Sequence, residues 1–368
     1  MNKSVAIIYL GDFFFDARAI NMSLSLISSG HRVSVVSIDK KSYIYPEFKN
    51  IRFYFIKLIN NNFMKYFEFI RKARLVLNNK SYDIIISGDL YSLPCGVFGK
   101  HRGRLIYDSR EIYTQLSAHE KKPFIRFCVS VYEKFLLRYV DSVLVTAESD
   151  LQYLKTKYIR FKNCSWHTIY NYPLLPSVTT KINFRKTFKI PDNNTLIVYQ
   201  GVLQRGRGIK RLLYLSSILI NVSAVIIGGG RSQKKYIELA KKLKVDHKTV
   251  FIKKIPYLNL MNYTSSCDIG WGLIKNSSLS NYFALPNKLF EYSLAGLPVI
   301  ISNLPNMKLF VEKYSLGLVV SEKNVAEQCD AITFLIKNKK TRSFYRNVAK
   351  QNFIWNLQSK KFIDIISG

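Results

Sequence analysis

The sequence has 368 residues, of which 48% are hydrophobic, and its 56 Lys and Arg against 24 Asp and Glu leave a net charge of +32. This composition excludes a disordered chain, the length favours two domains, and no apolar run approaches the roughly 20 residues that span a bilayer. The charge favours an anionic partner, either a nucleotide, a nucleic acid or an acidic membrane surface, unless it only reflects solvated lysines.

Residues 1–16 turn acidic and aromatic where a signal peptide would be cleaved, so we expect a cytoplasmic protein. The five cysteines and five histidines are scattered along the chain without the spacing of a metal site. We therefore expect reduced thiols in the core and predict that the protein holds no metal ion.

Apolar strands and amphipathic helices alternate through the first half of the chain. Residues 4–10 are predicted as a buried strand, and a loop, a helix ending at Gly30 and a second strand at 32–38 follow. The alternation continues with a helix at 63–79, strands at 82–89 and 104–111, a helix at 123–140 and a strand at 141–149. This order is typical of a doubly wound parallel sheet.

A second cycle of the same kind follows a proline-containing stretch, which we interpret as a linker near residues 173–182. Its strands are predicted at 195–201, 222–230, 249–256 and 267–274, with helices from 210, at 234–244 and at 258–265. We therefore predict an α/β fold with domains at 1–175 and 176–350 that face each other across a cleft. A helical segment at 351–368 is expected to pack back on the first domain.

The stretch "NKLFEYSLAGLPVI" predicts a helix over 287–295 that starts after Pro286 and stops at Gly296, before a strand from Val299. Glu291 lies on the first turns of this otherwise apolar helix, where burying a carboxylate is costly without a partner. Glu291 is either an ordinary carboxylate stabilised by the helix dipole or a ligand-binding group.

Several blocks resemble the family 4 (group 1) retaining glycosyltransferases, which have two Rossmann-like domains in the GT-B arrangement. They are "FDARAINMSLSLISSGHRVSVVS", "YDSREIY" and "YVDSVLVTAESD" in the first half, then "YQGVLQRGRGIKRLL", "VIIGGG", "SSCDIGWGLI" and "PNKLFEYSLAGLPVIISNLP". The resemblance implies transfer of a sugar from a nucleotide-diphosphate sugar, a UDP- or GDP-sugar, to a saccharide or lipid-linked saccharide acceptor. It implies no tightly bound cofactor and no metal requirement.

The resemblance also implies roles for residues of the second domain. Glu291 matches the second glutamate of the family's Glu-x7-Glu element and would accept hydrogen bonds from the ribose hydroxyls. Arg207 matches the cation that reaches the diphosphate, and Arg205 either compensates for Val202, which replaces a family arginine, or is a solvated loop residue. The other residues assigned to the donor are Gly201, Gly229, Ile255, Phe283, Asn287, Lys288 and Leu289.

In the first domain, the resemblance assigns Arg110 and Glu111 to the catalytic site, although Arg110 replaces a family histidine and cannot act as a base at neutral pH. Four further residues are assigned to a loop that contacts the acceptor or the diphosphate: Gly11, Asp12, Asp16 and Arg18. Gly11 can instead serve only the turn, and Asp16 with Arg18 can instead form a salt bridge at a helix start. Phe283 stands where the family has the first glutamate of its element, so the contacts to the donor sugar differ here.

Residues 63–77 and 121–127 interleave aromatic and basic side chains, which suits docking on anionic lipids, although such helices more often pack one face on the sheet.

The positive residues form no single stripe and no recognition motif accompanies them, which argues against a nucleic-acid partner. The alternatives to a cell-surface polysaccharide transferase are a non-hydrolysing nucleotide-sugar epimerase and a catalytically silent partner in a glycan-assembly complex.

Overall fold

Parallel strands form the frame of each half of the chain. The computed structural model describes residues 2–38, 43–99, 103–159, 164–176 and 180–368. Its strands are β1 (Ser4–Ile8), β2 (Arg32–Ser37), β3 (Ile51–Phe55), β4 (Ile84–Ser87), β5 (Arg104–Ser109), β6 (Ser142–Val145), β7 (Ser165–Thr168), β8 (Thr195–Gln200), β9 (Val222–Ile227), β10 (Thr249–Ile252), β11 (Ile269–Gly272), β12 (Val299–Ser302) and β13 (Gly317–Val320).

Helices connect these strands on both faces of each sheet. They are α1 (Ala17–Ser28), α2 (Met64–Asn78), α3 (Leu93–Val97), α4 (Pro123–Leu136), α5 (Glu148–Lys157), α6 (Phe184–Phe188), α7 (Ile209–Ile218), α8 (Gln233–Lys242), α9 (Tyr257–Thr264), α10 (Leu279–Tyr282), α11 (Asn287–Ala295), α12 (Pro305–Lys313), α13 (Val325–Asn338), α14 (Arg342–Asn352) and α15 (Asn356–Ser367).

The chain divides into two units. The first comprises Met1–Asn171, Ser278–Ser280 and Trp355–Gly368, and the second comprises Tyr172–Ser277 and Asn281–Ile354. The stretch interpreted as a linker begins just after this division, and its residues 177–179 lie outside the described part of the chain.

The two sheets repeat one topology. The first has the order β3-β2-β1-β4-β5-β6-β7 and the second has the order β10-β9-β8-β11-β12-β13, with every adjacent pair parallel. In each sheet, successive strands are added on one side of the first strand and then on its other side, so the strand order switches between β1 and β4 and between β8 and β11. The loops at such switch points commonly bind ligands. The prediction of two Rossmann-like α/β domains is confirmed.

The central strands are buried because helices cover both of their faces. Val5 to Ile8 of β1 and Leu196 to Tyr199 of β8 are buried, which explains their continuous apolar sequence. β3, β7 and β13, which were not predicted, are edge strands with half-exposed residues.

The C-terminal helix α15 belongs to the first unit, where it packs on α1. Trp355, which precedes it and is 2% exposed, donates a hydrogen bond from Nε1 to Ser25 Oγ at 2.7 Å. The Lys3 ammonium donates to the backbone carbonyls of Ile366 and Ser367, each at 2.9 Å. The last helix is therefore held at both of its ends.

No helix in the described ranges combines the length and apolar character that a membrane span requires. Of the five cysteines, Cys95, Cys164 and Cys267 are buried, but Cys128 on α4 is exposed, so the expectation that all five lie in the core is wrong for Cys128. α4 turns the face that carries this thiol away from the sheet.

Candidate functional site

In the second unit, the sequence places a carboxylate on a helix that begins and ends as predicted. α11 covers Asn287–Ala295, and Gly296 ends it with φ of 82°. A side chain at Gly296 would lie 2.9 Å from the Arg342 carbonyl oxygen and would require a strained backbone. Both ends of the helix are fixed by local chemistry, which sets where Glu291 projects.

Glu291 is 7% exposed and accepts a hydrogen bond on Oε2 from Nε2 of Gln200, at the carboxyl end of β8. Gln200 is 3% exposed, and its Oε1 in turn accepts from Thr264 Oγ1 at 2.6 Å. Among the described residues, no other hydrogen-bond donor reaches the Glu291 carboxylate. A carboxylate that can accept several hydrogen bonds therefore receives one, from a neutral amide.

Burial raises the pKa of Glu291 to about 7, although the Gln200 hydrogen bond and the charge of Lys288 oppose this shift. Burial and the nearby Arg207 lower the pKa of the partly exposed Lys288 to about 7. The Lys288 ammonium lies 4.0 Å from the centroid of the Tyr199 ring. The site thus gathers a buried carboxylic acid, the poorly solvated ammonium of Lys288 and the guanidinium of Arg207, an arrangement common where ligands bind.

Two glycine-containing loops run side by side at this edge of the sheet. Leu203 N donates to Gly229 O at 2.9 Å, and Gly201 N donates to Ile227 O at 3.0 Å. Gly228 has φ of 144°, and a Cβ there would lie 2.0 Å from the Gly201 carbonyl oxygen. Only glycine at position 228 allows the two loops to approach this closely. At Gly229, by contrast, no atom lies within 4 Å of where a Cβ would be.

The structure separates the two loop arginines. Arg207 is partly buried, and its charge acts on Tyr199 and Lys288. When the Gln204 amide is oriented so that both of its polar atoms are hydrogen-bonded, its oxygen accepts from Arg207 Nε at 3.1 Å. Arg205 is exposed, and its charge acts on Tyr236 of α8 instead. Only Arg207 is thus linked electrostatically to Lys288.

The remaining predicted donor residues differ in accessibility. Leu289 is 1% exposed, so its side chain belongs to the core, whereas Asn287 at the first position of α11 is partly exposed. Ile255 is partly buried in the loop that follows β10, and Gly228 N donates to Ile252 O in the same segment at 2.9 Å. The Phe283 carbonyl accepts from Asn306 Nδ2 at 2.6 Å, which fixes the segment before α11.

In the first unit, the predicted residues form a ladder of charges at the carboxyl ends of β1 and β5. Asp16 caps α1 by accepting from Ala19 N at 2.8 Å and pairs with Arg110 at 2.5 Å. Arg110 Nε donates to Asp108 Oδ2 at 2.9 Å. Burial alone would lower the pKa of Arg110, but the charges of Asp16 and Asp108 raise it above its usual value.

Arg18 completes this ladder from the buried side. It is 1% exposed, its Nη2 lies 2.7 Å from Asp108 Oδ1, and its Nη1 donates to the Ile169 carbonyl at 2.6 Å. Arg18 therefore forms a salt bridge, as the alternative interpretation of the sequence expected, but its partner is Asp108 and not Asp16. Its guanidinium has no free surface for a ligand.

The other predicted residues of the first unit lie at the margins of the ladder. A Cβ at Gly11 would lie 2.7 Å from the Tyr9 ring, so the turn requires glycine, and Asp12 beside it is partly buried. Glu111 is exposed, and its backbone carbonyl accepts from Ser109 Oγ at 3.2 Å.

Three polar residues at these strand ends were not predicted: Gln200, Asp108 and Asp89. Asp89 follows β4, accepts from Leu10 N at 2.8 Å and Ser92 N at 2.6 Å, and burial raises its pKa. Each of the three ends or follows a buried apolar strand, and in an open parallel sheet that position marks a binding site. Within the described ranges, no three His, Cys, Asp or Glu side chains group as metal ligands.

Comparisons with known proteins agree with this geometry. Residues 180–352 match the family described as glycosyl transferases group 1. An uncharacterized glycosyltransferase of Methanocaldococcus jannaschii is 23% identical, over 92% of this chain and 90% of the relative. The O-antigen biosynthesis glycosyltransferase WclY of Escherichia coli is 28% identical over 43% of this chain and 42% of its own.

A solved structure shares the whole fold. HepE of Anabaena, crystallised with UDP and glucose, superposes with a TM-score of 0.73 at 15% identity, covering 100% of both chains. At that identity the likeness establishes the architecture alone.

Proposed function

We propose that this chain, whose residues 180–352 match the group 1 glycosyltransferases, transfers a sugar from a nucleotide-diphosphate donor to a saccharide or lipid-linked saccharide acceptor, with retention of configuration. The observation that carries the proposal is the under-coordinated carboxylate of Glu291, 7% exposed at the carboxyl edge of the second sheet. Two ribose hydroxyl groups would supply the donors that Glu291 lacks and would favour its ionised form.

The cations beside Glu291 suit the diphosphate of such a donor. The leaving nucleoside diphosphate gains negative charge as the glycosidic bond breaks, so fixed cations stabilise the transition state more than the ground state. Arg207 can grip phosphate through two bonds, and a phosphate would return Lys288 to its charged form. The proposal needs no metal ion, because these two side chains supply the positive charge.

The acceptor is assigned to the first unit. Arg110 is charged at every physiological pH, so it can hold a sugar hydroxyl or phosphate but cannot remove a proton. Deprotonation of the acceptor then falls to the departing phosphate, which is consistent with retention. The same proposal assigns to the acceptor Asp16, which pairs with Arg110, together with Asp12 and Glu111.

Two comparisons support a UDP-sugar, within the proposed class of UDP- or GDP-sugars, and a surface polysaccharide. HepE binds UDP on the same fold, and WclY acts in O-antigen biosynthesis. The proposal therefore assigns this protein to the assembly of a cell-surface glycan and retains the cytoplasmic location expected from the sequence.

Peripheral attachment to an anionic membrane is part of the same proposal, supported by the exposed face of α4. Phe124 is 76% exposed and Phe127 is 66% exposed, while the basic Lys121 and Lys122 precede them. Near an anionic surface each basic residue contributes about 1 kcal/mol. We expect the protein to co-sediment with vesicles that contain phosphatidylglycerol, and the double variant Phe124→Ser/Phe127→Ser to co-sediment less. Equal sedimentation with neutral vesicles would contradict this attachment.

A thermal-shift screen against UDP, GDP, ADP and CDP tests donor binding. We expect one diphosphate to raise the melting temperature, by an amount corresponding to about 2.7 kcal/mol at a hundred times its Kd. Glu291→Gln should lose this shift, whereas the exposed control Glu312→Gln should keep it. A folded protein that no diphosphate stabilises would favour the catalytically silent partner.

A further inference from the structure

A second concave region of the second unit lies around the start of α7. A cavity of about 730 Å³ opens there, and a second of about 540 Å³ adjoins it. Both are lined by Gly206, Lys210, Tyr236 and Leu239, so the two adjoin, and we call this depression the α7–α8 cavity. Glu291 and Lys288 do not line it.

The chemistry of the α7–α8 cavity is divided between an apolar floor and a cationic rim. The floor consists of aliphatic and aromatic side chains, including Leu239, Leu243, Leu273 and Val325. Seven cations line the depression against two carboxylates, Glu238 and Glu322; the cations are Arg205, Lys210, Arg211, Lys235, Lys242, Lys275 and Lys323. A ligand matching both parts would have an apolar body and an anionic head.

Arg211, which lines the larger of the two cavities, identifies where the head would lie. Arg211 Nη1 is buried and has no hydrogen-bond partner among the described residues. An unpaired buried guanidinium nitrogen is costly, and a phosphate oxygen would satisfy it through a charge-assisted hydrogen bond. The amino end of α7 lines the same cavity and adds partial positive charge.

We propose that the α7–α8 cavity binds an alkyl or isoprenoid phosphate, with the phosphate on Arg211 and the hydrocarbon against Leu239 and its apolar neighbours. The volume is in the range of ordinary small-molecule sites. The cavity also contacts the loop that carries Arg207: Tyr236 Oη donates to the Gln204 carbonyl at 2.9 Å, and Lys275 N donates to the Gly206 carbonyl at 2.8 Å. The site itself does not depend on the proposed transfer activity.

Calorimetric titration of the full chain with monomeric dodecyl phosphate tests the proposal. We expect saturable binding of one molecule, with at least tenfold weaker binding of inorganic phosphate and of dodecanol, since each lacks one half of the ligand. Trp271 provides a second readout, because its Nε1 donates to the Gly208 carbonyl at 3.0 Å beside the cavity. A change in its fluorescence should saturate with the calorimetric signal.

Variants locate the site. Arg211→Gln should weaken dodecyl phosphate binding at least tenfold, and Leu239→Trp should do so by filling the floor, with melting temperatures confirming that both are folded. Lys186→Gln, which removes an exposed charge from α6, is the matched control and should bind normally. Binding that is equal for dodecanol, or unchanged by Arg211→Gln, would overturn the proposal and indicate adventitious association with apolar surface such as α4.

Discussion

Asp108 in the first unit is surrounded by two guanidinium groups, whereas Glu291 in the second unit receives one hydrogen bond from a neutral amide. Both carboxylates are buried, at 0% and 7% exposure. In the first unit the protein itself supplies the counter-charges, so the ladder stabilises the fold and orients Arg110. In the second unit the protein supplies Glu291 with only part of the hydrogen bonds and positive charge that a buried carboxylate needs. Such incomplete pairing is common where a ligand binds.

The largest expected effect is on the stability of the first unit. Asp108→Asn removes the carboxylate from between Arg18 and Arg110 and leaves Arg18 buried without a counter-charge. We expect a loss of about 3–5 kcal/mol in the free energy of unfolding, measured by urea denaturation. Glu312→Gln, which removes an exposed partner of Lys308, should cost less than about 1 kcal/mol. Equal losses would contradict the contrast between a buried ladder and a surface pair.

The second effect is on the pH dependence of the second unit. Burial raises the pKa of Glu291 from 4.5 to about 7, so the folded state holds this proton more tightly than the unfolded state. The stability that Glu291 contributes is therefore fully present below pH 4.5 and is lost as the pH rises through 7.

Comparing the wild type with Glu291→Gln isolates this contribution. Between pH 4.5 and 8, the wild type should lose up to about 3 kcal/mol relative to the variant. Melting curves across this range provide the measurement, and saturating nucleoside diphosphate should reduce the difference. Parallel curves for the two proteins would show that Glu291 is not held in a costly environment.

The third effect concerns how Glu291 is oriented. Gln200→Met keeps the side-chain length but removes the only amide that donates to Glu291 among the described residues. We expect about tenfold weaker binding of the diphosphate that the thermal screen identifies, because one hydrogen bond to a charged group is lost. Gln351→Met at an exposed position is the control. Unchanged affinity would remove Gln200 from the site.

The smallest effect is at the exposed end of the ladder. Asp16→Asn keeps an amino-terminal cap on α1 but removes the charge that pairs with Arg110. A loss of about 1 kcal/mol in the free energy of unfolding is expected, since both side chains are partly solvated. A loss as large as that of Asp108→Asn would show that Arg110, and not Arg18, is the costly cation.

Local chemistry accounts for the parts of the fold that the sequence predicted well. Pro286 and Gly296 act within a few residues of the ends of α11, so its bounds were predicted residue for residue. The central strands carry unbroken apolar runs because both faces are covered. β3 and β7 lack such runs, since Arg52 interrupts β3 and polar residues predominate in β7, and the place of β3, β7 and β13 in the sheet follows only from pairing.

The candidate site divides in the same way. The motif around Glu291, Lys288 and Arg207 was recognisable in sequence, and the structure places Lys288 where the charges of both Glu291 and Arg207 act on it. Gln200 was not predicted, because it lies 91 residues from Glu291 and only the pairing of β8 with its neighbours brings the two together. Arg18 and Asp108, 90 residues apart, meet for the same reason.

The alternation of strands and helices, the two repeats of the sheet and the residue types at the strand ends depend on local periodicity and turn chemistry, so they could be predicted from the sequence. Which charges are neutralised could be learned only from the folded structure. That distinction depends on burial and on contacts between distant strands. It separates Asp108, whose counter-charges are built into the fold, from Glu291, whose hydrogen-bond donor among the described residues is the neutral Gln200 amide.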